Sequence, residues 1–175
     1  PKVDEAYTDS LVRWMAERHG WELPGESVLY APGVMPAVHR GIDLFTEPGD
    51  SVVIQSPVYF PFFKAIEAHE RVVATASLTE TERNGRLYYE MDFDALEDAF
   101  AQGGKLFLLC SPHNPVGRVW RREELERVAE LASAFDVVVL ADEIHGDVIF
   151  PGHHFVPYLS LGEKVGRRAW ATTAP

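Results

Sequence analysis

Residues 106–117, LFLLCSPHNPVG, join an apolar run to groups able to bind and orient a ligand. Leu106, Phe107, Leu108, Leu109 and Cys110 form a segment short enough for a strand buried on both faces, as in parallel sheets. Ser111, His113 and Asn114 then fall where the carboxyl end of a parallel strand opens into a crevice, the usual ligand position in open α/β sheets. Pro112 and Pro115 restrict this turn and hold the Asn114 amide. A second apolar run, 137–141, stops at Asp142-Glu143-Ile144-His145. A carboxylate buried at such a strand end needs a partner, and a ligand nitrogen can serve. Two more turns add an anion site and a ring. Pro32-Gly33 leads into a helix whose first amides, at Val34 and Met35, lack intrahelical acceptors and can hold a phosphate. Tyr59 follows the strand 51–55 and the turn Ser56-Pro57.

These loops need a frame, and the hydrophobic pattern supplies one. Residues 7–19 place Leu11, Val12, Trp14 and Met15 on one helical face, with Gly20 as the stop. Residues 27–31 read as a short strand, and Val38, Ile42 and Phe45 recur at helical spacing within 34–45. A helix over 59–69 leads to a strand over 71–78, and Asn84-Gly85 centres an exposed excursion or hairpin over 79–89. Residues 92–102 place Phe93, Leu96 and Phe100 on one face, with Gly103-Gly104 as the stop. Helical spacing returns over 122–135, with acids in the first turn. Residues 146–160 are irregular, and a last strand spans 169–173. Strands alternating with helices, continuously apolar where expected to be central, predict a three-layer α/β fold: a mainly parallel sheet with helices on both faces.

Bulk properties narrow the functions. The chain has 175 residues, 46% of them hydrophobic, enough for one core-forming domain. A net charge of -11 opposes binding to nucleic acid. No apolar run reaches the roughly 20 residues of a membrane span, and no signal peptide opens the chain. With a single cysteine, Cys110, these features point to the cytoplasm. Cys110 reads as a small core residue, His113 as structural and Ser111 as a backbone cap. A metal centre from His113, His145, His153, His154 and Asp142 fits no standard zinc spacing, so none is expected. Arg118 either pairs with Glu123 or lines the crevice.

Together, the anion pocket, ring, rigid amide and carboxylate match the needs of a pyridoxal 5'-phosphate (PLP) site. SPHNPVGRVW followed by ADEIHGDV, with APGVMPAVHRGI and SPVYFPF upstream, resembles the fold-type I PLP enzymes of the class I/II aminotransferase family. The fuller forms are most similar to the cystathionine β-lyase and cysteine-S-conjugate β-lyase branch. The resemblance implies that Asp142 keeps the pyridine nitrogen protonated and that Asn114 donates to the phenolic oxygen. His145 would stand where the wider family often has a tyrosine reaching the same oxygen. Tyr59 would stack on or edge the ring, and Gly33, Val34 and Met35 would form the phosphate-binding turn. It also implies an amino-acid substrate and a homodimeric full-length enzyme, either a lyase or an aminotransferase. A PLP-binding sensor domain is the expectation of another class. The family's cofactor-anchoring lysine follows the strand ending in Ala171-Thr172-Thr173-Ala174-Pro175, and Lys2, Lys64, Lys105 and Lys164 do not hold that position. Residues 1–175 therefore read as a truncated PLP-binding large domain, without the lysine and the C-terminal small domain, and inactive alone.

Overall fold

The computed structural model describes residues 5–162, 165 and 168–174. A parallel sheet with the order β2-β1-β5-β6-β7 forms the middle layer. Its strands are β1 (Ser51–Ile54), β2 (Val72–Thr75), β5 (Gly104–Cys110), β6 (Val138–Asp142) and β7 (Ala169–Thr172). The central β5 is buried from Leu106 to Cys110 and pairs with β1 and β6, as its unbroken apolar run requires. An antiparallel hairpin, β3 (Thr79–Arg83) and β4 (Arg86–Glu90), turns at Asn84-Gly85 and forms a separate two-stranded sheet. Both turn residues have positive φ, at 54° and 72°, the conformation that favours this pair in hairpins.

Alternate residues of the central strands feed opposite cores. On one face, Val52, Ile54, Leu106, Leu108 and Leu140 pack with Val38 and Ile42 of α2 (Val34–Phe45) and with Phe62 and Ile66 of α3 (Pro61–Ala68). On the other, Val53, Phe107, Leu109 and Val139 pack with Leu96 and Phe100 of α4 (Phe93–Ala101) and with Leu125 and Val128 of α5 (Arg122–Ala134). The three-layer α/β expectation is thus met. The α4 start is fixed by Asp92, whose carboxylate accepts the Ala95 N–H at 2.9 Å. At α5, Glu124 reaches back to the Arg121 N–H at 2.8 Å. The N-terminal α1 (Glu5–His19) is tied to the segment after β6, because Trp14 Nε1 and His19 Nε2 both bond the Asp147 carboxylate.

One predicted strand does not form. Residues 27–31 have the composition of a strand, but no strand of either sheet pairs with them, and a strand without a ladder partner is only extended chain. Leu29 and Tyr30 stay exposed there. Other differences are trims of element ends: α3 begins at Pro61 rather than 59, and β2 stops at Thr75, before the buried Ala76 and Leu78. Lys2, Lys164 and Pro175 lie outside the described residues.

Candidate functional site

The C-terminal ends of β1, β5 and β6 open on one edge of the sheet, and α2 brings its N-terminus to the same edge. α2 runs antiparallel to the strands, since Phe45 near its end packs edge-on with Trp170 at the start of β7, with ring centres 5.8 Å apart. Seating is close: a Cβ at Gly41 would stand 2.0 Å from Leu140 Cδ1. Gly33 caps α2 with φ 146°, without a side-chain cap. The first backbone bond across this start comes from Ala37 N–H to the Gly33 carbonyl, leaving the Val34 and Met35 amides unpaired at the positive end of the helix. Val34 is buried in the core on the α2 side of the sheet.

Asp142 ends β6 and is 5% exposed. The pleat gives it the same face as Leu140, toward α2. Its Oδ1 accepts one hydrogen bond, from the Ile144 N–H at 3.2 Å. Burial pushes its carboxyl pKa up, and the Ile144 amide and the charge of His145 only partly offset this. Cys110 lies opposite Asp142 in the ladder and packs in the same core. Its sulfur accepts the Asn114 N–H at 3.3 Å and donates to the Pro112 carbonyl at 3.5 Å. Burial pushes the thiol up to about 12, with nearby Asp142 adding to the rise. Asn114 is half-buried just beyond, in a turn closed by Gly117 N–H to the His113 carbonyl at 2.8 Å. The Ser111-Pro112 and Asn114-Pro115 bonds are cis.

Tyr59 follows β1, partly exposed, and meets Phe62 edge-on with centres 5.7 Å apart, so it also belongs to the α2 face. Four sequence-identified groups thus share one face at one end of the sheet: the α2 amides, Tyr59, Asn114 and Asp142. His145 is less engaged. It is exposed, and its side chain bonds neither Asp142 nor Asn114. His113 is buried, with Nε2 2.9 Å from the Pro57 carbonyl and its ring edge-on to Trp120, a structural placement. Burial brings its imidazole down to about 4, so it is neutral near pH 7. Among the described residues no group of three or more His, Cys, Asp or Glu side chains could hold a metal ion, and no helix is long and apolar enough to cross a membrane.

Three buried ionisable side chains, Glu143, Arg118 and Glu124, have surroundings that the sequence reading did not give. Glu143 is 3% exposed and accepts the Tyr158 N–H at 2.6 Å, and burial pushes its carboxyl up to about 8. Arg118 pairs with Glu124, not Glu123, and lies buried away from the α2 face. For Arg118 and Glu124 a signal existed: an acid at the third position of a helix, where it can turn back on the preceding loop. For Glu143 none did, because its burial depends on Tyr158 folding over it.

This architecture is the large-domain fold of PLP-dependent aminotransferases. The class I and II aminotransferase family model matches residues 1–173, and the chain belongs to that family. It is 39% identical over 173 residues to cystathionine β-lyase PatB of Bacillus subtilis, covering 98% of this chain and 44% of that enzyme. Cystalysin from Treponema denticola, whose structure contains PLP, superposes with a TM-score of 0.92 at 38% identity, over 100% of this chain and 44% of its own. A PLP-bound C-S lyase from Staphylococcus hominis gives 0.89 at 26% identity, over 99% and 43%. The chain therefore spans less than half the length of these relatives.

Proposed function

We propose that these residues are the PLP-binding core of a C-S β-lyase that converts cysteine S-conjugates such as cystathionine to a thiol, pyruvate and ammonia. The observation that carries this reading is the Asp142 carboxyl, buried with one hydrogen bond, on the sheet face it shares with the unpaired amides of α2. A buried carboxylate is stabilised by a cationic N–H, which is what a protonated pyridine nitrogen offers. The likeness to PatB and cystalysin supports the lyase branch.

When bound, the cofactor supplies an electron sink for the bonds at the substrate Cα. The chain's residues provide the rest. Asp142 holds the proton on the ring nitrogen and so keeps the sink open. The Val34 and Met35 amides, beside Gly33, bind the phosphate at the positive end of α2. Asn114, held through its backbone by the Cys110 sulfur, donates to the phenolic oxygen and fixes the in-plane rotation of the ring. Tyr59 covers a ring face. His145, exposed at the rim, would add a second donor to the same oxygen by turning inward on its loop. The amino-acid substrate and the homodimer belong to the full-length protein, and the chain gives no reason to expect nucleic acid or membrane as a partner.

The test is to assay the full-length protein with cystathionine, following thiol and pyruvate, beside amino transfer to a keto acid. Release of both products without a keto acid supports the lyase. Strict dependence on a keto acid replaces it with an aminotransferase, the activity named for the 28% identical rat kynurenine–oxoglutarate transaminase 3.

A further inference from the structure

Five side chains stack in series from the exposed hairpin to the loop that carries Asn114. The Arg83 guanidinium lies 3.9 Å over the Tyr88 ring, and Arg118 approaches the same ring at 4.4 Å. Arg118 also lies 4.6 Å over Trp120, which meets His113 edge-on at 5.5 Å. Arg118 is 6% exposed. One guanidinium nitrogen bonds both Glu124 oxygens, at 2.8 and 2.9 Å, and another donates to the Tyr89 carbonyl. The backbone of Arg118 closes the Asn114 turn, because its carbonyl accepts the His113 N–H at 2.8 Å in an isolated antiparallel bridge. Residues 114–117 are thus held by the Cys110 sulfur, by the Gly117 N–H on the His113 carbonyl, and at their far end by Arg118, whose side chain is clamped between the hairpin and α5.

A buried guanidinium is costly to desolvate, and an apolar side chain of similar volume often serves stability as well. A two-stranded hairpin outside the main sheet likewise adds little stability of its own. What the pair does supply is placement: stacking on Tyr88 and Trp120, with one guanidinium nitrogen on Glu124 and another on the Tyr89 carbonyl, fixes Arg118 in position and angle, which a lysine's point charge cannot do. We propose that Arg118 is a positioning residue for Asn114, and that the β3–β4 hairpin, through Tyr88 and Tyr89, is the support that holds it. The proposal rests on the assignment of Asn114 to the cofactor's phenolic oxygen.

The experiment uses the full-length protein and compares N114A, Y88L and the double variant R118M/E124L, which removes both charges without orphaning either. PLP affinity, the pH midpoint of the bound cofactor's visible absorption and the melting temperature of the cofactor-free protein are read for each. Expected for Y88L and R118M/E124L are about tenfold weaker PLP binding, the lower end of what losing an outer-shell partner costs a metal site, and a pH midpoint displaced in the direction of N114A. Cofactor-free melting should stay within a few degrees of the parent, and R118K should recover only part of the effect. If N114A moves the midpoint while both other variants keep it at the parental value, whatever their melting temperatures, the Arg118 proposal is overturned and the Asn114 assignment stands. If N114A itself leaves the midpoint unmoved, the Asn114 assignment falls and takes this proposal with it.

Discussion

Asp142 and Glu143 are consecutive, yet the pleat sends their carboxyls to opposite faces of the sheet, one toward α2 and the other toward Tyr158. The two burials have different outcomes. For Asp142, a ligand can complete the coordination, so D142N should bind PLP more weakly and lower kcat about a hundredfold or more, as loss of a preorganised charge does. Steady-state kinetics and a PLP titration on the full-length protein check this. Glu143 has a backbone amide and nothing else, and its folded-state pKa of about 8 stands above the ordinary 4.5. Below 4.5 the group is protonated in both folded and unfolded chains. Between 4.5 and about 8 unfolding releases its proton, so stability falls as pH rises through that window. E143Q keeps the acceptor for Tyr158 and loses the titration. Its stability relative to the parent should therefore rise by a few kcal/mol from about pH 4 to about pH 9, read as urea midpoints across pH. A constant difference would refute the buried titration.

At the scale of elements, α2 is the part whose seating decides the phosphate site. G41A drives a methyl to 2.0 Å from Leu140 Cδ1, so the buried Leu140 side chain must leave its rotamer or α2 must lift from β6. Such overpacking costs about 1–3 kcal/mol, and because the helix also aims the Val34 and Met35 amides, PLP affinity should fall in the same variant. A melting curve and a titration check both. The elements were largely legible where their signals are local. Asn84-Gly85 marked the hairpin, Gly103-Gly104 ended α4, and the run from Leu106 to Cys110 announced a central strand. Local signals failed where the cause is distant. Residues 27–31 look like a strand but find no neighbour, and Glu143 is buried because Tyr158, fifteen residues on, folds over it. Of the site, the residue types and their strand-end positions could be read from the sequence. That they share a face depends on the register of Cys110 against Asp142 and on the direction of α2, both set by packing.

For the molecule as a whole, the proposed function divides the site: Gly33, Val34, Met35, Tyr59, Asn114, Asp142 and His145 would hold the cofactor, while none of Lys2, Lys64, Lys105 and Lys164 stands where the family resemblance expects the anchoring lysine. A polypeptide limited to these residues should release no pyruvate from cystathionine, and steady turnover by it would refute that. An acidic surface, with a net charge of -11, should also leave it without affinity for duplex DNA at physiological salt, checked by a mobility shift. The single cysteine carries a last consequence. Cys110 is buried under the Asn114 turn, with its pKa near 12, so almost no thiolate exists at neutral pH. On the proposed lyase reading, the full-length protein would meet released mercaptans at high local concentration, and a reactive sulfhydryl beside that source would be capped by mixed disulfides. Here the one cysteine of these 175 residues is chemically muted, so alkylating reagents should leave Cys110 unmarked in the native protein and colorimetric detection of released mercaptan should carry no background from it.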